Sequence, residues 1–363
     1  MAEGTASSAL HALQATLVAI WRFGSVALVG WTPTSSGVEL LVAPMTRLFE
    51  HIHRHRRLLV GGRLMGRRTF NEVAEQLGVQ PIEIRLDAAI GDTPGAIALR
   101  DLESAMTPFS IQHTDQRAVF LVDIAGFSLL VPEQQALQVT TLEFALNLAS
   151  AAIADRERGS RFLRSTTGDG FYVWSAEKGL AADLSLLAVL VVALTVLGFL
   201  RRSPAAASAP VLRSCFGIGS HYTYRQPKPD GTADSDFIVG QVTIELARLI
   251  SAAKADQILV GDFCRRASET SGSLDAVAFL AQASERMDWL RGLALPSSRI
   301  ERLALYLTGP PDGEGGFQVH ALDVIDKHGI SHRCFNMKVN VFLDDGDPFY
   351  CGLRHDERAN LAR

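Results

Sequence analysis

A nearly unbroken apolar run, LSLLAVLVVALTVLGFL at residues 184–200, constrains the fold of this chain more than any other feature. A helix of this length comes close to what a bilayer crossing requires. However, strands that read as parts of one domain lie on both sides of the run. A membrane crossing would place the two halves of one sheet on opposite sides of the bilayer. We therefore favour a helix buried in a protein core.

The composition suits a protein with a sizeable core. Of the 363 residues, 47% are hydrophobic and 20% are charged, and the net charge of -4 gives no reason to expect a nucleic-acid partner. The four cysteines are widely spaced and show no zinc-ligand pattern, which indicates reduced thiols in an intracellular protein. The first residues, MAEGTASSALHALQ, lack the basic and apolar regions of a signal peptide. A cytoplasmic location is expected.

Residues 1–113 differ in character from the rest and are predicted to form a mainly helical segment with a regulatory or dimer-supporting role. The apolar stretch at residues 16–31 carries Arg22 near its centre, which favours a buried or interfacial helix. The run HIHRHRR at residues 51–57 has alternating histidines. Basic clusters without cysteine or carboxylate partners are more often solvated surface than metal sites. A patch for nucleic acid or acidic lipid is the alternative there.

From about residue 114 the pattern becomes an alternation of strands and helices. Helical spacing covers residues 133–155 and 242–253, and strands are predicted at RAVFLVDI, RFLRST, FYVWS, VLRSCFGIGSHYTY and DQILVGD. Tight turns are predicted at the GDG of residues 168–170 and at the KHG of residues 327–329. This order predicts one domain of the α/β or α+β class over residues 114–340. Residues 341–363 are expected to form a loosely packed C-terminal extension.

Two carboxylates stand out in this domain. Asp123 ends an apolar strand, where burying an ionised group is costly unless something compensates it. Asp169 lies in the GDG turn, 46 residues later. If the two strands are neighbours, the carboxylates meet at one edge of the sheet and repel each other unless a divalent cation lies between them. Mg²⁺ or Mn²⁺ would suit such oxygen ligands and keep positions for phosphates. The alternative is that each aspartate caps a turn, since Asp-Gly turns are common.

The turn after Asp123 has a second use. Ala125, Gly126 and Phe127 offer backbone N–H groups at the start of a helix, where phosphate oxygens bind readily. The sequence therefore predicts a phosphate site beside the carboxylate pair.

Four segments in this order resemble the catalytic domain of class III nucleotidyl cyclases: VFLVDIAGFS, STTGDGFYVW, FGIGSHY and VGQVTIELARLISAAKADQILVGD. The resemblance covers about residues 116–340, and the pair DIxGFS and GDG is its most specific part. It implies a ferredoxin-like α+β sandwich that works as a homodimer with active sites at the subunit interface. It also implies conversion of a nucleoside triphosphate to a 3′,5′-cyclic monophosphate and pyrophosphate.

The resemblance also implies roles for individual residues. Asp123, Ile124 and Asp169 would hold two Mg²⁺ or Mn²⁺ ions per active site, and Ile124 would also contact the nucleotide. Arg248 corresponds to the family's helix arginine, supplied from the partner subunit to stabilise charge on the reacting phosphate. Lys327 is the best candidate for a phosphate-binding lysine near the late hairpin.

Three nucleotide-reading positions depart from the family pattern. Ser165 stands where adenylate cyclases have lysine, Phe237 stands at the second base-reading position beside Asp236, and Ile244 replaces a ribose-orienting asparagine. These changes remove the groups that read adenine, and a buried donor left unpaired costs about 1–3 kcal/mol. A smaller and more apolar pocket favours UTP or CTP, with UTP slightly preferred. This resembles the bacterial uridylate and cytidylate cyclases of antiphage defence, whose product activates a separate effector protein.

Three other interpretations remain open. An adenylate cyclase with a non-standard pocket would use Asp236 after a shift of one residue. A catalytically dead module would bind nucleotide and report it through dimerisation, and Ile244 gives this some support. A membrane receptor cyclase, which is not favoured, would require residues 16–31 or 184–200 to span the bilayer.

Overall fold

The computed structural model describes residues 2–21, 25–52, 63–93, 95–157, 159–202, 209–227, 233–266, 272–295, 298–344 and 346–354. Most of the histidine-rich run, the first glycines of the GGRLMG stretch and residues 355–363 lie outside the described residues. The chain divides into two compact units, Met1–Thr114 with Tyr222–Ile238, and Asp115–His221 with Val239–Arg363.

The first unit combines helices with a small sheet. Its helices are α1 (Ala2–Trp21), α2 (Met45–Ile52), α3 (Arg67–Leu77) and α4 (Leu99–Met106), and its strands are β1 (Val26–Pro33), β2 (Gly37–Pro44), β3 (Arg63–Leu64) and β4 (Ile82–Arg85). The strand order is β3-β1-β2-β4, with β3 parallel to β1 and the other pairs antiparallel. The segment contains more helix than strand, as expected, but the sequence did not predict its sheet.

The prediction of one helix over residues 16–31 is wrong. Helix α1 ends at Trp21, and the second half of the apolar stretch forms β1. The runs VALVGWTP and GVELLVAP are rich in valine and flank a short serine-containing turn, which is a hairpin signal. The amide of Thr34 donates to the carbonyl of Gly37 across this turn (2.8 Å). Cross-strand pairing with β2 therefore outweighs the continuous apolar character of the stretch.

The second unit is built on a mixed sheet with the strand order β13-β15-β10-β8-β5-β7-β6. Strands β14 and β16 also pair with β15, and β8 pairs with β9, although most of β9 and the end of β8 belong to the first unit. The strands are β5 (Ile111–Ile124), β6 (Phe162–Thr166), β7 (Gly170–Ser175), β8 (Leu212–Pro227), β9 (Ala233–Val239), β10 (Ile258–Gly261), β11 (Cys264–Arg266), β12 (Ser273–Asp275), β13 (Ile300–Thr308), β14 (Ala321–Ile325), β15 (Ser331–Leu343) and β16 (Phe349–Cys351), and the helices are α5 (Pro132–Arg156), α6 (Leu180–Leu200), α7 (Gln241–Ala252) and α8 (Ala276–Arg286). The predicted α+β fold class is confirmed.

Strand β5 shows how the sheet separates its two faces. Side chains alternate along a strand, so Phe120, Val122 and Ile124 point into the large core that α5 and α6 cover. Leu121 and Asp123 point to the opposite face. Helix α7 lies over that opposite face at β8, where Gly217 and Gly219 leave room for Leu246 and Val242.

Helix α6 contains the long apolar run. Every residue from Ala182 to Gly198 is buried, against α5 and the sheet. By length and composition alone, α5 and α6 could each cross a membrane, but 83% of the most apolar window of α6 is buried in the structure. A core helix passes the same test. The burial of α6 agrees with the interpretation of residues 184–200 as a helix in a protein core.

The prediction of a loosely packed extension after residue 340 is wrong for the first part of that segment. Strand β15 continues to Leu343, with Val341 buried, and β16 pairs with it in the register Val341↔Phe349. The FYC of β16 buries Cys351, so apolar side chains in this turn-rich segment complete the sheet.

Candidate functional site

The two predicted carboxylates meet on the second unit's sheet. Strands β5 and β7 pair antiparallel with Asp123 opposite Gly170, which places Asp169 immediately beyond the end of β5. The amide of Ile124 donates to the carbonyl of Asp169 (3.0 Å), and the Asp169 side chain is close enough to Asp123 to raise the pKa of that carboxyl. The side chain of Ile124 belongs to the core on the other face, so only its main chain can face a ligand.

The glycines of the GDG turn explain this close approach. Gly168 has φ +101°, in the region that glycine adopts most readily. At Gly170, an added Cβ would overlap the carbonyl oxygen of Val122 and lie 2.9 Å from the Cα of Asp123. Gly170 therefore lets β7 approach β5 closely at the position of the first carboxylate.

We expect Gly170→Ala to separate the strands at the carboxylate pair. The added methyl group has only backbone atoms as neighbours, which cannot rotate away, and overpacking of this kind costs about 1–3 kcal/mol. Denaturant unfolding should show this loss of stability. Gly346→Ala is the matched control, because its Cβ would meet nothing nearer than the Arg202 guanidinium at 4.0 Å. Equal stability of the two variants would contradict the close approach.

Asp123 lies in an environment that disfavours its charge. The residue is 7% exposed. Desolvation raises the pKa of Asp123 from 3.8 to about 6; Arg213 opposes this shift and the nearby Asp169 adds to it. Arg213 comes from β8 and forms an ion pair with Asp123. The structure thus compensates the buried carboxylate with a guanidinium, and this compensation is incomplete.

The carboxylate pair fits a hard divalent cation. Two carboxylates side by side repel each other, and a cation between them removes that repulsion. In the described part of the chain, no group of three or more His, Cys, Asp or Glu side chains gathers as a metal site. Two protein carboxylates suit Mg²⁺ or Mn²⁺, which complete their coordination with water and substrate phosphates.

The raised pKa of Asp123 predicts a pH dependence of the metal-free protein. Below pH 3.8 the group is neutral in both the folded and the unfolded state. Between pH 3.8 and about 6 the unfolded state ionises this group while the folded state still binds the proton, so stability that was present at low pH is lost over this range. With a chelator present, the wild-type melting temperature should fall more between about pH 4 and about pH 6.5 than that of Asp123→Asn. Identical pH profiles would contradict the assigned shift.

The turn after β5 supplies fewer amide donors than the sequence predicted. The amide of Ala125 already donates to the carbonyl of Val211 (2.8 Å), so it is not free for phosphate. The chain then forms a 3-10 turn at Phe127–Leu129 rather than an α-helix, because α5 begins only at Pro132. The amides of Gly126 and Phe127 open this turn, where a helix start leaves donors without internal partners.

Arg248 and Lys327 form a second group in the same unit. The Nε of Arg248, on α7, lies 3.3 Å from Oδ2 of Asp326. Asp326 begins the turn between β14 and β15, and the exposed Lys327 follows it. The predicted hairpin is confirmed, and the structure brings its lysine close to the helix that carries the arginine.

The three predicted nucleotide-reading residues lie in different surroundings. Ser165 pairs with Tyr172, which pairs with Leu121, so this register puts Ser165 on the same face of the sheet as Asp123. The hydroxyl of Tyr172 donates to the carbonyl of Thr243 on α7 (3.0 Å). Ile244, also on α7, is 56% exposed. Phe237, in β9 of the first unit, is 47% exposed, whereas its neighbour Asp236 is 7% exposed.

The sequence reasoning missed two residues, Arg213 and Asp326. Strand alternation within VLRSCFGIG sets Arg213 opposite in direction to the core residues Leu212 and Phe216, so it was identifiable as facing the side of β8 away from the core. Asp326 opens the sequence Asp-Lys-His-Gly, a typical signal of a side-chain-capped turn. Neither signal indicates which residue Arg213 or Asp326 pairs with.

Comparisons with known proteins give structural likeness only. No protein-family model matches the sequence, and no curated protein matches it. The chain is similar to catalytic domains of class III adenylyl and guanylyl cyclases. The adenylyl cyclase CyaB from P. aeruginosa is 20% identical over 46% of this chain and 93% of that chain, with a TM-score of 0.32. The guanylate cyclase domain of RhGC from Catenaria anguillulae, in complex with GTP, is 12% identical over 62% and 97%, with a TM-score of 0.36.

Adenylate cyclases from Trypanosoma brucei in their monomeric state are also similar, with 13% identity over 62% of this chain and 88% of that chain and a TM-score of 0.34. Identities this low show a likeness of fold and no more.

Proposed function

We propose that the chain is a nucleotidyl cyclase that converts a nucleoside triphosphate to a 3′,5′-cyclic nucleotide and pyrophosphate. The observation that carries this proposal is the placement of Asp123 and Asp169 side by side, where β5 ends and β7 begins. A desolvated carboxylate with a second carboxylate beside it, next to two turn amides, is suited to a triphosphate and its cations.

The residues divide the reaction between them. The ribose 3′-hydroxyl loses its proton to water and its oxygen attacks the α-phosphorus in line. The bond from that phosphorus to the α,β-bridging oxygen breaks, and pyrophosphate leaves. Asp123 and Asp169 would hold Mg²⁺ or Mn²⁺, which when bound lower the pKa of the 3′-hydroxyl and neutralise the phosphates. Arg248 would stabilise the negative charge that develops on the phosphate oxygens, and Lys327 would bind the leaving phosphates. The amides of Gly126 and Phe127 would orient the triphosphate.

Homodimers are part of the proposal. By the resemblance, Arg248 acts on the carboxylate pair of the partner subunit, and we propose that Lys327 on the neighbouring turn acts there with it. Within one chain, the carboxylate pair lies where β5 ends and β7 begins. The basic side chains Arg248 and Lys327 lie on α7 and on the β14–β15 turn. A two-fold dimer would complete two identical sites, each from both subunits.

The proposed substrate is a pyrimidine nucleotide, with UTP preferred over CTP. Ser165, Phe237 and Ile244 replace charged or amide side chains that would read adenine and orient its ribose. A site that lacks these hydrogen-bonding groups loses the strong discrimination that they provide, and apolar replacements favour a smaller base. A cyclic pyrimidine nucleotide would then serve as a second messenger for a separate effector in antiphage defence.

An adenylate cyclase with a non-standard pocket is the second candidate, and one observation favours it. On β9, Asp236 is 7% exposed and Phe237 is 47% exposed, so the carboxyl group rather than the phenyl ring faces inward. A shift of one residue would place this acid at the base-reading position.

Product identification decides between these substrates. Purified protein is incubated with Mn²⁺ and each of the four nucleoside triphosphates, and the products are identified by mass. Cyclic UMP or cyclic CMP as the main product supports the pyrimidine proposal, whereas conversion of ATP alone rejects it. A protein that binds nucleotide and forms no cyclic product with any substrate is a nucleotide-binding module rather than an enzyme.

A further inference from the structure

Asp326 contacts both elements that carry the basic side chains predicted to bind phosphate. It begins the turn that contains Lys327, and it pairs with Arg248 on α7. Its side chain is 4% exposed although it belongs to a surface turn. A buried carboxylate at such a position needs compensating partners, and Asp326 has them on both oxygens.

The two oxygens of Asp326 serve different elements. Oδ1 accepts hydrogen bonds from the amides of His328 (2.8 Å) and Ile330 (3.0 Å), and these bonds shape the turn around Lys327. Oδ2 lies 3.3 Å from Nε of Arg248 and 3.3 Å from Nε2 of His332. One side chain thus forms the lysine turn with one atom and holds the arginine with the other.

Asp326 is ionised at neutral pH. Desolvation would raise its pKa, but the amides of Ile330 and His328, together with His332 and Arg248, outweigh it and lower the pKa to about 2. The carboxylate is therefore charged throughout the pH range in which an enzyme of this kind would be assayed.

We infer that Asp326 is a positioning residue that fixes Arg248 relative to the Lys327 turn. The inference rests on the proposed function, because it assigns a purpose to a contact between two groups that would act on the same triphosphate. An arginine side chain has many rotamers, and holding its Nε at a fixed acceptor removes most of them before substrate binds. Misplacement of a charged group by about 1 Å can cost about 100-fold in rate, which gives such a contact its value.

The variant Asp326→Asn separates the two functions of the carboxylate. The amide oxygen of asparagine can still accept from the amides of His328 and Ile330, so the turn is retained. The amide nitrogen then faces Nε of Arg248, and two donors cannot form a hydrogen bond. With the substrate identified by mass, we expect kcat to fall about 10- to 100-fold and KM to change little, because the lost alignment matters in the transition state.

A double-mutant cycle tests whether this loss passes through Arg248. Asp326→Asn should lower kcat strongly in the wild type and have little further effect in an Arg248→Ala background. Asp323→Asn is the matched control, since Asp323 is exposed on the same hairpin and its carboxylate accepts a hydrogen bond from the hydroxyl of Ser331 (3.0 Å). This control should retain wild-type kcat.

Each result bears on the inference in a defined way. Equal losses from Asp326→Asn in both backgrounds, or a wild-type kcat in Asp326→Asn, would overturn the positioning role and leave the cyclase proposal intact. Absence of any cyclic product from the wild-type protein would instead overturn the proposed function, and the inference with it. A strong loss in the wild type that disappears in the Arg248→Ala background supports both.

Discussion

Asp169→Asn should lower the turnover number on the order of 1000-fold, because it removes one carboxylate of the proposed metal pair. Stabilisation of phosphate charge by a bound cation is worth several kcal/mol, and each 1.4 kcal/mol is a factor of ten in rate. Asp169 is a better choice than Asp123 for this test. It is only half-buried, whereas replacing Asp123 would leave the Arg213 guanidinium without its ion pair.

Stability and activity should separate in this variant. Removing the negative charge of Asp169 relieves its repulsion of Asp123, so the metal-free protein should unfold at the same temperature as the wild type or higher. Asp155→Asn, on the exposed end of α5, is the control and should retain full turnover. Activity in Asp169→Asn close to that of the control would mean that the carboxylate pair does not hold a catalytic cation.

Arg248→Ala should lower kcat by about 100- to 1000-fold, the loss found when one preorganised donor to a developing charge is removed. The ion pair with Asp326 holds the Arg248 side chain in one position before substrate binds. Its removal should therefore affect stabilisation of the transition state, and kcat should change more than KM. A comparable rise in KM with unchanged kcat would assign Arg248 to ground-state binding only.

Mixing two inactive variants tests which subunit supplies the arginine. Arg248→Ala keeps the carboxylate pair, and Asp169→Asn keeps the arginine. If each site uses Arg248 of the other subunit, every mixed dimer contains one intact site, and random mixing should restore about one quarter of wild-type activity. If Arg248 acts on the carboxylates of its own chain, the mixture stays inactive.

Local sequence patterns predicted the elements that carry the candidate residues. The apolar strand ending in Asp123, the GDG turn and the late hairpin each have a pattern confined to a few neighbouring residues, and all three are present where the sequence predicts them. The glycines of the turn are also part of this local pattern. At Gly170 a side chain would overlap the carbonyl oxygen of Val122 on the neighbouring strand, so only glycine fits.

Contacts between distant residues could not be predicted in this way. Arg213 is 90 positions from Asp123 in the sequence, and the residues around each of them do not indicate that the two side chains pair. Asp326 and Arg248 are joined only because α7 and the β14–β15 hairpin pack together. The sheet of the first unit was missed for a similar reason, since β1 is continuous in character with the helix before it and only its pairing with β2 reveals a strand.

The burial of α6 has a consequence for how the chain matures. Part of its cover comes from β16: the ring of Phe349 lies 2.6 Å from where a Cβ on Gly198 would be, and Sγ of Cys351 donates to the carbonyl of Leu194 (3.6 Å). A nascent chain must therefore carry its most hydrophobic helix for roughly 150 further residues before that cover exists, and such delayed closure favours aggregation. We expect the growing polypeptide to depend on chaperones until β16 emerges from the ribosome.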